Sequence, residues 1–294
     1  MRFTKLHGCG NDYLYVDCIT QPAPADPPAL AREMSDRHFG VGSDGLILVL
    51  PSPVADVRMR MFNADGSEGR MCGNGVRGLA KFAFDRGLAR ANPMSVETLR
   101  GVLTIDLHLG LGGKVDSATV DMDEPILEAA RIPVLPPRVA GRELVIDVPL
   151  AEILPDFPGG AWTGASALDP RLTCVSMGSA HAVLFCRDVS AVPLEQIGPA
   201  LERHAIFPER INVHFAQVLA PGELRMRTWE KGSGITLACG TGACAVLVAA
   251  ALTGRGGRAA TVQLPGGALA IEWRESNNRV YMTGPAVEVF SGEW

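Results

Sequence analysis

An internal repeat constrains the fold of this chain more than any other feature of its sequence. The segment 58–62, Arg-Met-Arg-Met-Phe, resembles Arg-Met-Arg-Thr-Trp at 225–229, and Cys-Gly-Asn-Gly at 72–75 resembles Cys-Gly-Thr-Gly at 239–242. Both pairs are separated by the same offset, 167 residues. Self-similarity at a fixed offset indicates a duplicated structural unit. We therefore expect two domains of similar fold.

Weaker matches extend the repeat in both directions. Apolar and glycine positions between 96 and 105 match those between 262 and 271 at an offset of 166, so the register is nearly kept. Upstream, residues 7–15 align loosely with 177–185 at an offset of 170. Four segments in the same order over two halves favour duplication over a chance similarity of turns.

Each half also carries the same pattern of expected elements. In the first half, 57–62 is predicted as a strand, and apolar residues at helical spacing predict a helix over 76–84. In the second half, the strand is predicted at 224–229, and 243–252 is so apolar that its helix should be buried nearly all round. Strand hairpins are expected after each helix. The prediction is an α+β fold with one helix in each half.

Bulk composition limits the class of protein. The 294 residues are 47% hydrophobic and 20% charged, and the net charge is −5 without a concentrated basic run. This composition is typical of a globular protein and unlike a nucleic-acid-binding surface. The amino terminus lacks the apolar stretch of a signal peptide or membrane helix, so the expected location is cytoplasmic. A small-molecule partner is favoured, with no nucleic acid and no membrane.

The cysteines do not form the pattern of a structural framework. There are seven, and no Cys-x-x-Cys spacing occurs among them. An odd count without such spacing argues against disulfides and against a zinc site, so free thiols and no bound metal are predicted.

Two of these cysteines, Cys72 and Cys239, stand at the repeated Cys-Gly-x-Gly segments just before the predicted helices. The start of a helix has unpaired backbone N–H groups and a positive dipole end, which bind anions and stabilise a thiolate. Inversion of an α-carbon needs one base on one face and one acid on the other, and two equivalent thiols meet that need. No lysine lies in an evident pyridoxal-phosphate context, so the chain is predicted to be a cofactor-independent amino-acid racemase or epimerase.

At these residues the chain resembles the diaminopimelate epimerase family. The resemblance implies two pseudo-symmetric α+β domains, each a β-sheet wrapped around a central helix, with the active site in the interdomain cleft. We expect an N-terminal domain over 1–125, completed by 279–294, and a C-terminal domain over 126–278. The stretches that carry the resemblance are 5–12 (KLHGCGND), 42–46 (GSDGL), 62–68 (FNADGSE), 71–75 (MCGNG), 207–212 (FPERIN) and 238–244 (ACGTGAC).

The resemblance also implies roles for individual residues. Cys72 and Cys239 would be the acid/base thiols, supported by His181 and Glu230. The substrate-binding residues would include carboxylate donors at the two helix starts and asparagine side chains, namely Gly73, Asn74, Gly240 and Thr241, and Asn11, Asn63 and Asn212.

Three positions depart from the family pattern. Ser179 stands where asparagine is usual, Lys231 replaces an arginine, and Ile235 replaces a frequent glutamate. In the family, the asparagine and the arginine help to hold the distal carboxylate of diaminopimelate. Lysine offers a point charge in place of a bidentate fork, and serine has a shorter reach. Two hypotheses follow: a diaminopimelate epimerase in which Lys231 still pairs with the distal carboxylate, or a racemase of another amino acid, such as histidine or a basic one. We favour the first because Asn63 and Asn212 are kept, and we count Ser179 and Glu230 with Lys231 among the expected substrate-binding residues.

Other classes compete with these hypotheses. A phenazine-type isomerase would not need paired cysteines, and proline racemases have different motifs around their two cysteines. A non-catalytic cleft-binding protein would not need two reactive thiols. A thiol redox protein would use a disulfide between Cys72 and Cys239. We interpret such a disulfide, if it forms under oxidation, as an inactive form of the enzyme. A homodimer is compatible with the sequence, which does not fix the oligomeric state.

Overall fold

The computed structural model describes residues 1–135 and 143–294 of the chain. The chain divides into two compact units: unit 1 contains Met1–Asp121 and Thr283–Trp294, and unit 2 contains Met122–Met282. The chain thus changes unit after 121 and after 282, whereas the sequence placed these boundaries after 125 and after 278.

Unit 1 is a mixed sheet with one long helix against it. Strand β1 pairs antiparallel with β2, β2 parallel with β3, β3 antiparallel with β4, and β4 parallel with β6, which continues antiparallel into β7 and β8. The elements are β1 (Arg2–Gly8), β2 (Asn11–Asp17), α1 (Pro27–Ser35), β3 (Gly45–Leu50), β4 (Val57–Asn63), β5 (Glu68–Gly69), α2 (Gly73–Asp85), β6 (Met94–Thr98), β7 (Gly101–Leu109) and β8 (Val115–Asp121).

The sheet of unit 1 curves around α2. This helix contacts β1, β2, β3, β4, β6, β7 and β8, so strands lie against it on several sides. Its apolar residues Val76, Leu79, Ala80 and Ala83 are fully buried at the spacing of a helical face. Burial of this face fixes the helix, and with it the residue at its start, in the centre of the unit.

Unit 2 repeats this arrangement. Its elements are β9 (Val148–Pro149), α3 (Leu150–Ile153), α4 (Ala161–Ala165), β10 (Arg171–Ser176), β11 (Ala180–Phe185), α5 (Leu194–Glu202), β12 (Asn212–Ala220), β13 (Glu223–Glu230), β14 (Gly234–Ile235), α6 (Gly240–Leu252), β15 (Ala259–Leu264) and β16 (Gly267–Trp273). The pairings run β10–β11 antiparallel, β11–β12 parallel, β12–β13 antiparallel, β13–β15 parallel and β15–β16 antiparallel. The order and the directions are those of unit 1.

Helix α6 is the counterpart of α2. It contacts β10, β11, β12, β13, β15 and β16, and its residues from Ala243 to Ala250 are all buried. The sequence predicted a helix buried nearly all round, and this prediction is confirmed. Strand β17 (Val280–Pro285) then crosses from unit 2 into unit 1, and β18 (Val287–Glu293) pairs antiparallel with β1 in unit 1. The last strand of the chain therefore completes the first unit.

The strand pairings correct the register of the weaker upstream match. Tyr15 pairs with Ile47 in unit 1, and Val183 pairs with His214 in unit 2. Since Ile47 and His214 are 167 residues apart, the strands β2 and β11 correspond at an offset of 168 and not 170. The two hairpin turns also differ, because two residues separate the last paired residues of β1 and β2, against three for β10 and β11.

The expectation of one helix in each half is wrong. Helix α1 lies between β2 and β3, and α5 lies at the equivalent place between β11 and β12. The start of α1 has a recognisable signal, because the Asp26 side chain accepts a hydrogen bond of 3.0 Å from Ala29 N and prolines occupy the first turn. Helix α5 is harder to predict because Pro199 lies inside it. None of the helices in residues 1–135 and 143–294 has the length and hydropathy of a membrane span.

Candidate active site

Cys72 lies at the N-terminal end of α2, in extended backbone conformation. Its backbone carbonyl accepts from Val76 N at 2.8 Å, and its sulfur accepts from Gly75 N at 3.4 Å. The backbone N–H groups of Gly73 and Asn74 follow in the first turn, where no intrahelical carbonyl is available to them. The predicted position at a helix start is confirmed.

A network of amides surrounds the Cys72 sulfur. Asn11 Oδ1 accepts from Cys72 Sγ at 3.4 Å and from Asn74 Nδ2 at 3.3 Å. The other end of the Asn11 amide donates to Asp44 Oδ2 at 2.7 Å, and Asn74 Oδ1 accepts from the buried Arg77 guanidinium at 2.9 Å. Asp44 and Arg77 thus fix the direction of both amides, so that an oxygen faces Cys72.

Two tyrosines of β2, Tyr13 and Tyr15, lie close to Cys72 and the start of α2. Burial, together with the charge and hydrogen bond of Cys72, raises the pKa of Tyr13 well above its usual value. Burial and the Cys72 charge act in the same direction on the pKa of Tyr15, whose hydroxyl donates to Gly75 O at 3.0 Å. Both phenols are therefore neutral, and Tyr13 can offer its hydroxyl to the Cys72 sulfur.

Asn63 closes the strand β4 beside the same network. It pairs with Gly45, and the next residue, Ala64, donates its N–H to Asp44 O at 3.0 Å. The Asn63 side chain donates to Ser67 Oγ at 2.9 Å. Asn63 thus belongs to the neighbourhood of Asp44, with its amide nitrogen engaged in the local turn.

Cys239 occupies the corresponding position in unit 2, at the start of α6. Its carbonyl accepts from Ala243 N at 2.9 Å, and its sulfur lies 3.7 Å from Thr241 Oγ1. A Cβ atom at Gly242 would lie 3.0 Å from the Cys239 sulfur and 2.4 Å from His214 Cε1. Glycine at 242 is what allows the imidazole of His214 to approach the helix start.

A line of hydrogen-bonded side chains runs beside Cys239. Ser179 Oγ lies 3.4 Å from Thr241 Oγ1 and 2.9 Å from His181 Nε2. The other ring nitrogen of His181 lies 2.8 Å from His214 Nε2, and His214 Nδ1 lies 3.0 Å from Thr228 Oγ1. Both imidazoles are completely buried.

The two histidines are neutral. Burial lowers the pKa of His214 to about 3. Burial, and the proximity of His214, also lower the pKa of His181 well below its usual value. A neutral imidazole has one donor and one acceptor nitrogen, so each ring can pass a hydrogen bond from one side to the other.

The segment that follows β13 contains the other predicted residues of unit 2. Asn212 donates to Ala180 O at 2.9 Å and accepts from Lys231 N at 2.9 Å, so its side chain joins β11 to this segment. Lys231 is exposed, and its Nζ donates to Glu209 O at 3.2 Å. The Glu230 carboxylate accepts from Thr236 Oγ1, and Ile235 is exposed.

A buried carboxylate holds this segment to α5. Glu202 is 2% exposed; it accepts from Trp229 Nε1 at 2.7 Å and from Gly232 N at 3.1 Å. Gly198 on the same helix makes room for the Trp229 ring, because a Cβ there would lie 2.4 Å from the indole. Glu202 and Gly198 therefore determine the position of the residues Glu230 and Lys231.

Four other cysteines have environments that oppose ionisation. Burial raises the pKa of Cys18 and of Cys186 to about 11, and it also raises the pKa of Cys9 and Cys174. These thiols stay protonated near neutral pH, which is the behaviour of packing residues.

One group of potential metal ligands occurs within the described residues. It consists of His181, His214 and Cys239, whose ligand atoms all lie within 4.8 Å of one another. Both nitrogens of each imidazole are engaged in the hydrogen bonds described above. The donor set therefore fits a hydrogen-bonded line of neutral groups, and we assign no metal to it.

The structure thus gathers the residues predicted from the sequence into one group in each unit. In unit 1 the group is Cys72, Gly73, Asn74, Asn11 and Asn63; in unit 2 it is Cys239, Gly240, Thr241, Ser179 and His181, with Asn212, Glu230 and Lys231 linked to it through Ala180 and along β13. The sequence did not single out the residues that orient these groups. They are Tyr13, Asp44, Arg77, Glu202, His214 and Thr228.

A signal for two of them was present in the repeat. At the offset of 167, His214 corresponds to Ile47, and Thr228 corresponds to Met61. A polar residue in one copy where the other has an apolar residue marks a position at which the two copies have diverged. The remaining residues become recognisable only through their contacts in space.

Comparison with known proteins places the chain among amino-acid epimerases. The diaminopimelate epimerase family matches residues 3–127 and 173–289. The chain is 50% identical to diaminopimelate epimerase of Acetivibrio thermocellus over 293 residues, with 100% of this chain and 98% of that protein covered. It is also 50% identical to the enzyme of Moorella thermoacetica over 295 residues, with 100% and 99% covered.

Solved structures with low sequence identity share the fold. A phenazine biosynthesis protein from Bacillus anthracis has a TM-score of 0.68 at 18% identity, with 100% of this chain and 98% of that chain covered. A hydroxyproline epimerase from Agrobacterium vitis has a TM-score of 0.61 at 15% identity, with 99% and 90% covered. The fold class predicted from the sequence is confirmed by these similarities.

Proposed function

The chain belongs to the diaminopimelate epimerase family, and from that premise we propose that it interconverts L,L- and meso-diaminopimelate with two thiols and no cofactor. The observation that carries the proposal is the identity of about 50% with diaminopimelate epimerases over the whole chain. The phenazine-type and proline-racemase alternatives are supported only by a shared fold at 18% identity or less.

In the proposed mechanism, Cys72 and Cys239 act on opposite faces of one α-carbon. One thiolate removes the α-proton, and the other cysteine, as a thiol, returns a proton to the opposite face. Each turnover exchanges the protonation states of the two sulfurs, so the reverse reaction can begin from the product state. Acid/base groups of one type are suited to an isomerisation between two amino acids of similar energy.

The intermediate requires electrostatic stabilisation, because the α-hydrogen of an amino acid is far less acidic than a thiol. First-turn N–H groups of the two helices, at Gly73 and Asn74 and at Gly240 and Thr241, are the proposed donors to the α-carboxylate. Donors held in place by a buried helix need no reorganisation when negative charge develops. The burial of α2 and α6 supports this role.

The departures from the family pattern concern the distal end of the substrate. We assign Lys231 to the distal carboxylate, because its ammonium group is exposed and its backbone is held by Asn212. Ser179 in this proposal serves the hydrogen-bonded line to His181 more than the substrate. Asn11, Asn63, Asn212 and Glu230 complete the proposed site.

The substrate is tested by incubating the purified chain with L,L-diaminopimelate and, separately, with L-histidine, L-lysine and L-arginine. Chiral chromatography should detect meso-diaminopimelate and no D-enantiomer of the three single amino acids. Racemisation of histidine, lysine or arginine without turnover of diaminopimelate would contradict the proposal.

The two thiols are tested by substitution with alanine. Cys72→Ala and Cys239→Ala should each lower kcat by about a hundredfold to ten-thousandfold, because an acid/base group is removed. Cys18→Ala and Cys186→Ala are matched controls, since their thiols are held protonated, and they should retain kcat. Retention of full activity by either of the first two variants would overturn the assignment.

A further inference from the structure

Unit 2 contains a hydrogen-bonded line that ends at Cys239, and unit 1 has the apolar residues Ile47 and Met61 at the positions of its two innermost members, His214 and Thr228. Its inner part consists of Thr228 on β13, His214 on β12 and His181 on β11, joined by contacts of 3.0 and 2.8 Å. Its outer part consists of Ser179 and Thr241, which lead to the Cys239 sulfur through contacts of 2.9, 3.4 and 3.7 Å. Each member is within reach of the next.

The duplicated unit provides an internal comparison. Ile47 pairs with Met61 across β3 and β4, as His214 pairs with Thr228 across β12 and β13. Ile47 also lies against the helix-start glycine of its own unit, where a Cβ at Gly75 would be 2.8 Å from its Cδ1. His214 lies in the same way against Gly242.

The fold therefore accepts an apolar residue at this position. A buried polar pair costs desolvation energy that an apolar pair avoids, so packing alone gives no reason for His214 and Thr228. Their presence beside Cys239 points to a role in the chemistry of that sulfur.

The direction of the hydrogen bonds follows from one contact. Ser179 Oγ donates to Thr241 Oγ1, so Ser179 must accept from His181 Nε2. His181 is neutral, and its Nδ1 is then an acceptor for His214 Nε2–H. His214 Nδ1 in turn accepts from the Thr228 hydroxyl.

The same direction continues outward. Thr241 receives the hydrogen of Ser179 and has its own hydroxyl hydrogen free to point at Cys239. A hydroxyl that donates to sulfur stabilises the thiolate over the thiol. The tautomer of His214 thus determines, through His181 and the hydroxyls of Ser179 and Thr241, whether a hydrogen is donated to the Cys239 sulfur.

We propose that His214 is a positioning residue for Cys239: it fixes the tautomer of His181 and thereby turns the hydroxyls of Ser179 and Thr241 toward the sulfur as donors. This inference rests on the acid/base role proposed for Cys239. His214 touches neither substrate nor reacting atoms in this account, and acts through the side chains between them.

Three variants test the inference. His214→Ile introduces the residue that unit 1 has at the equivalent position, and it removes both ring nitrogens. His214→Gln keeps a donor near the position of Nε2, toward His181. Thr228→Val is nearly isosteric and removes only the hydroxyl that donates to His214. Circular dichroism and thermal unfolding establish that each variant is folded.

Two measurements are made on each folded variant. The first is kcat and KM with diaminopimelate. The second is the rate at which iodoacetamide alkylates Cys239 at neutral pH, followed by peptide mass spectrometry, with Cys72 in the same sample as the internal control. Alkylation reports the thiolate population and does not depend on turnover.

The expected result is a loss of about tenfold in kcat for His214→Ile with little change in KM, and a similar slowing of Cys239 alkylation relative to Cys72. Thr228→Val should show a smaller loss in the same direction, and His214→Gln should recover most of both quantities. If His214 had only a structural role, its loss would not slow alkylation of Cys239 alone, and glutamine would not restore the alkylation rate.

The inference is overturned if His214→Ile and Thr228→Val fold and keep wild-type kcat and wild-type alkylation of Cys239. It is also overturned if Cys72 and Cys239 slow equally, or if glutamine does not restore what isoleucine loses. Absence of epimerase activity in the unsubstituted protein would instead contradict the proposed function, and the alkylation rates would still decide the part played by His214.

Discussion

At the scale of single residues, the orientation of two amides determines which atoms face Cys72. Asp44 accepts a hydrogen bond from the amide nitrogen of Asn11, and Arg77 donates one to the amide oxygen of Asn74. Arg77 is completely buried and also donates to the carbonyls of Gly73 and Pro285, at 3.3 and 3.4 Å. A buried guanidinium with these acceptors serves the site and the stability of unit 1 together.

Replacement of this arginine should be costly. Arg77→Met is expected to lower the free energy of unfolding by about 2–3 kcal/mol, because charged hydrogen bonds are lost and buried acceptors are left unpaired. It should also lower kcat, since the Asn74 amide is released. Urea unfolding and steady-state kinetics measure the two effects. Arg90→Met, an exposed arginine just beyond the same helix, is the control and should change stability by about 0.5 kcal/mol or less.

Residue-scale prediction from the sequence succeeded for some groups and failed for others, for a physical reason. Cys72 and Cys239 are identifiable because they recur at a fixed offset before apolar helices, and Asn11 because it belongs to a motif. His214 and Arg77 act through neighbours that are distant along the chain. Their chemistry is determined by burial and contact, which a sequence pattern does not contain.

At the scale of elements, a glycine in the first turn of each central helix sets how closely the sheet approaches the thiol. At Gly242, a Cβ would lie 2.4 Å from His214 Cε1 and 3.0 Å from the Cys239 sulfur. At Gly75, the nearest atom is the flexible end of Ile47, at 2.8 Å, and the Cys72 Cβ is 3.4 Å away. The two helix starts are equivalent in backbone and unequal in their tolerance for a methyl group.

Substitution of each glycine by alanine should have a larger effect at α6 than at α2. Gly242→Ala should lower the free energy of unfolding by about 1–3 kcal/mol, because the imidazole is held by hydrogen bonds on both sides and cannot move aside. It should also lower kcat. Gly75→Ala should cost less, since Ile47 can change its rotamer. Thermal unfolding compares them, with Gly257→Ala as control, because nothing lies within 4 Å of a Cβ there. Equal losses at 75 and 242 would contradict this account.

Elements were predictable where their hydrophobic pattern was strong. The strands β4 and β13 and the helices α2 and α6 follow from periodicity and from their repetition. Helices α1 and α5 were missed, since each has only nine residues, and α5 also contains Pro199. The offset of β2 and β11 was also wrong by two residues, because the segments 7–15 and 177–185 share only two identical residues at the offset of 170.

At the scale of the whole molecule, buried neutral histidines link stability to pH. Burial lowers the pKa of His214 to about 3 in the folded chain, whereas a histidine in the unfolded chain titrates near 6.5. Below about pH 6.5 the unfolded state binds a proton that the folded state does not. The contribution of His214 to stability is therefore full above about pH 6.5 and is lost as the pH falls from there toward about 3.

This linkage predicts a measurable difference between variants. Between about pH 7 and pH 5, His214 should account for a decrease of about 2 kcal/mol in the free energy of unfolding. In His214→Ile this part of the decrease should be absent, so its stability should depend less steeply on pH over the same interval. Urea unfolding at several pH values provides the slopes. Identical slopes in the two proteins would show that His214 is not kept neutral by the fold.

The duplication gives the molecule two similar helix starts with one thiol each, and in the proposed mechanism both thiols act in a single inversion. The most direct test is the epimerisation of L,L-diaminopimelate in deuterium oxide, with mass spectrometry of product and residual substrate early in the reaction. We expect one deuterium at the inverted α-carbon of meso-diaminopimelate, while the remaining L,L-substrate keeps its hydrogen. Product that retains the substrate hydrogen at this carbon would contradict a mechanism with one thiol on each face.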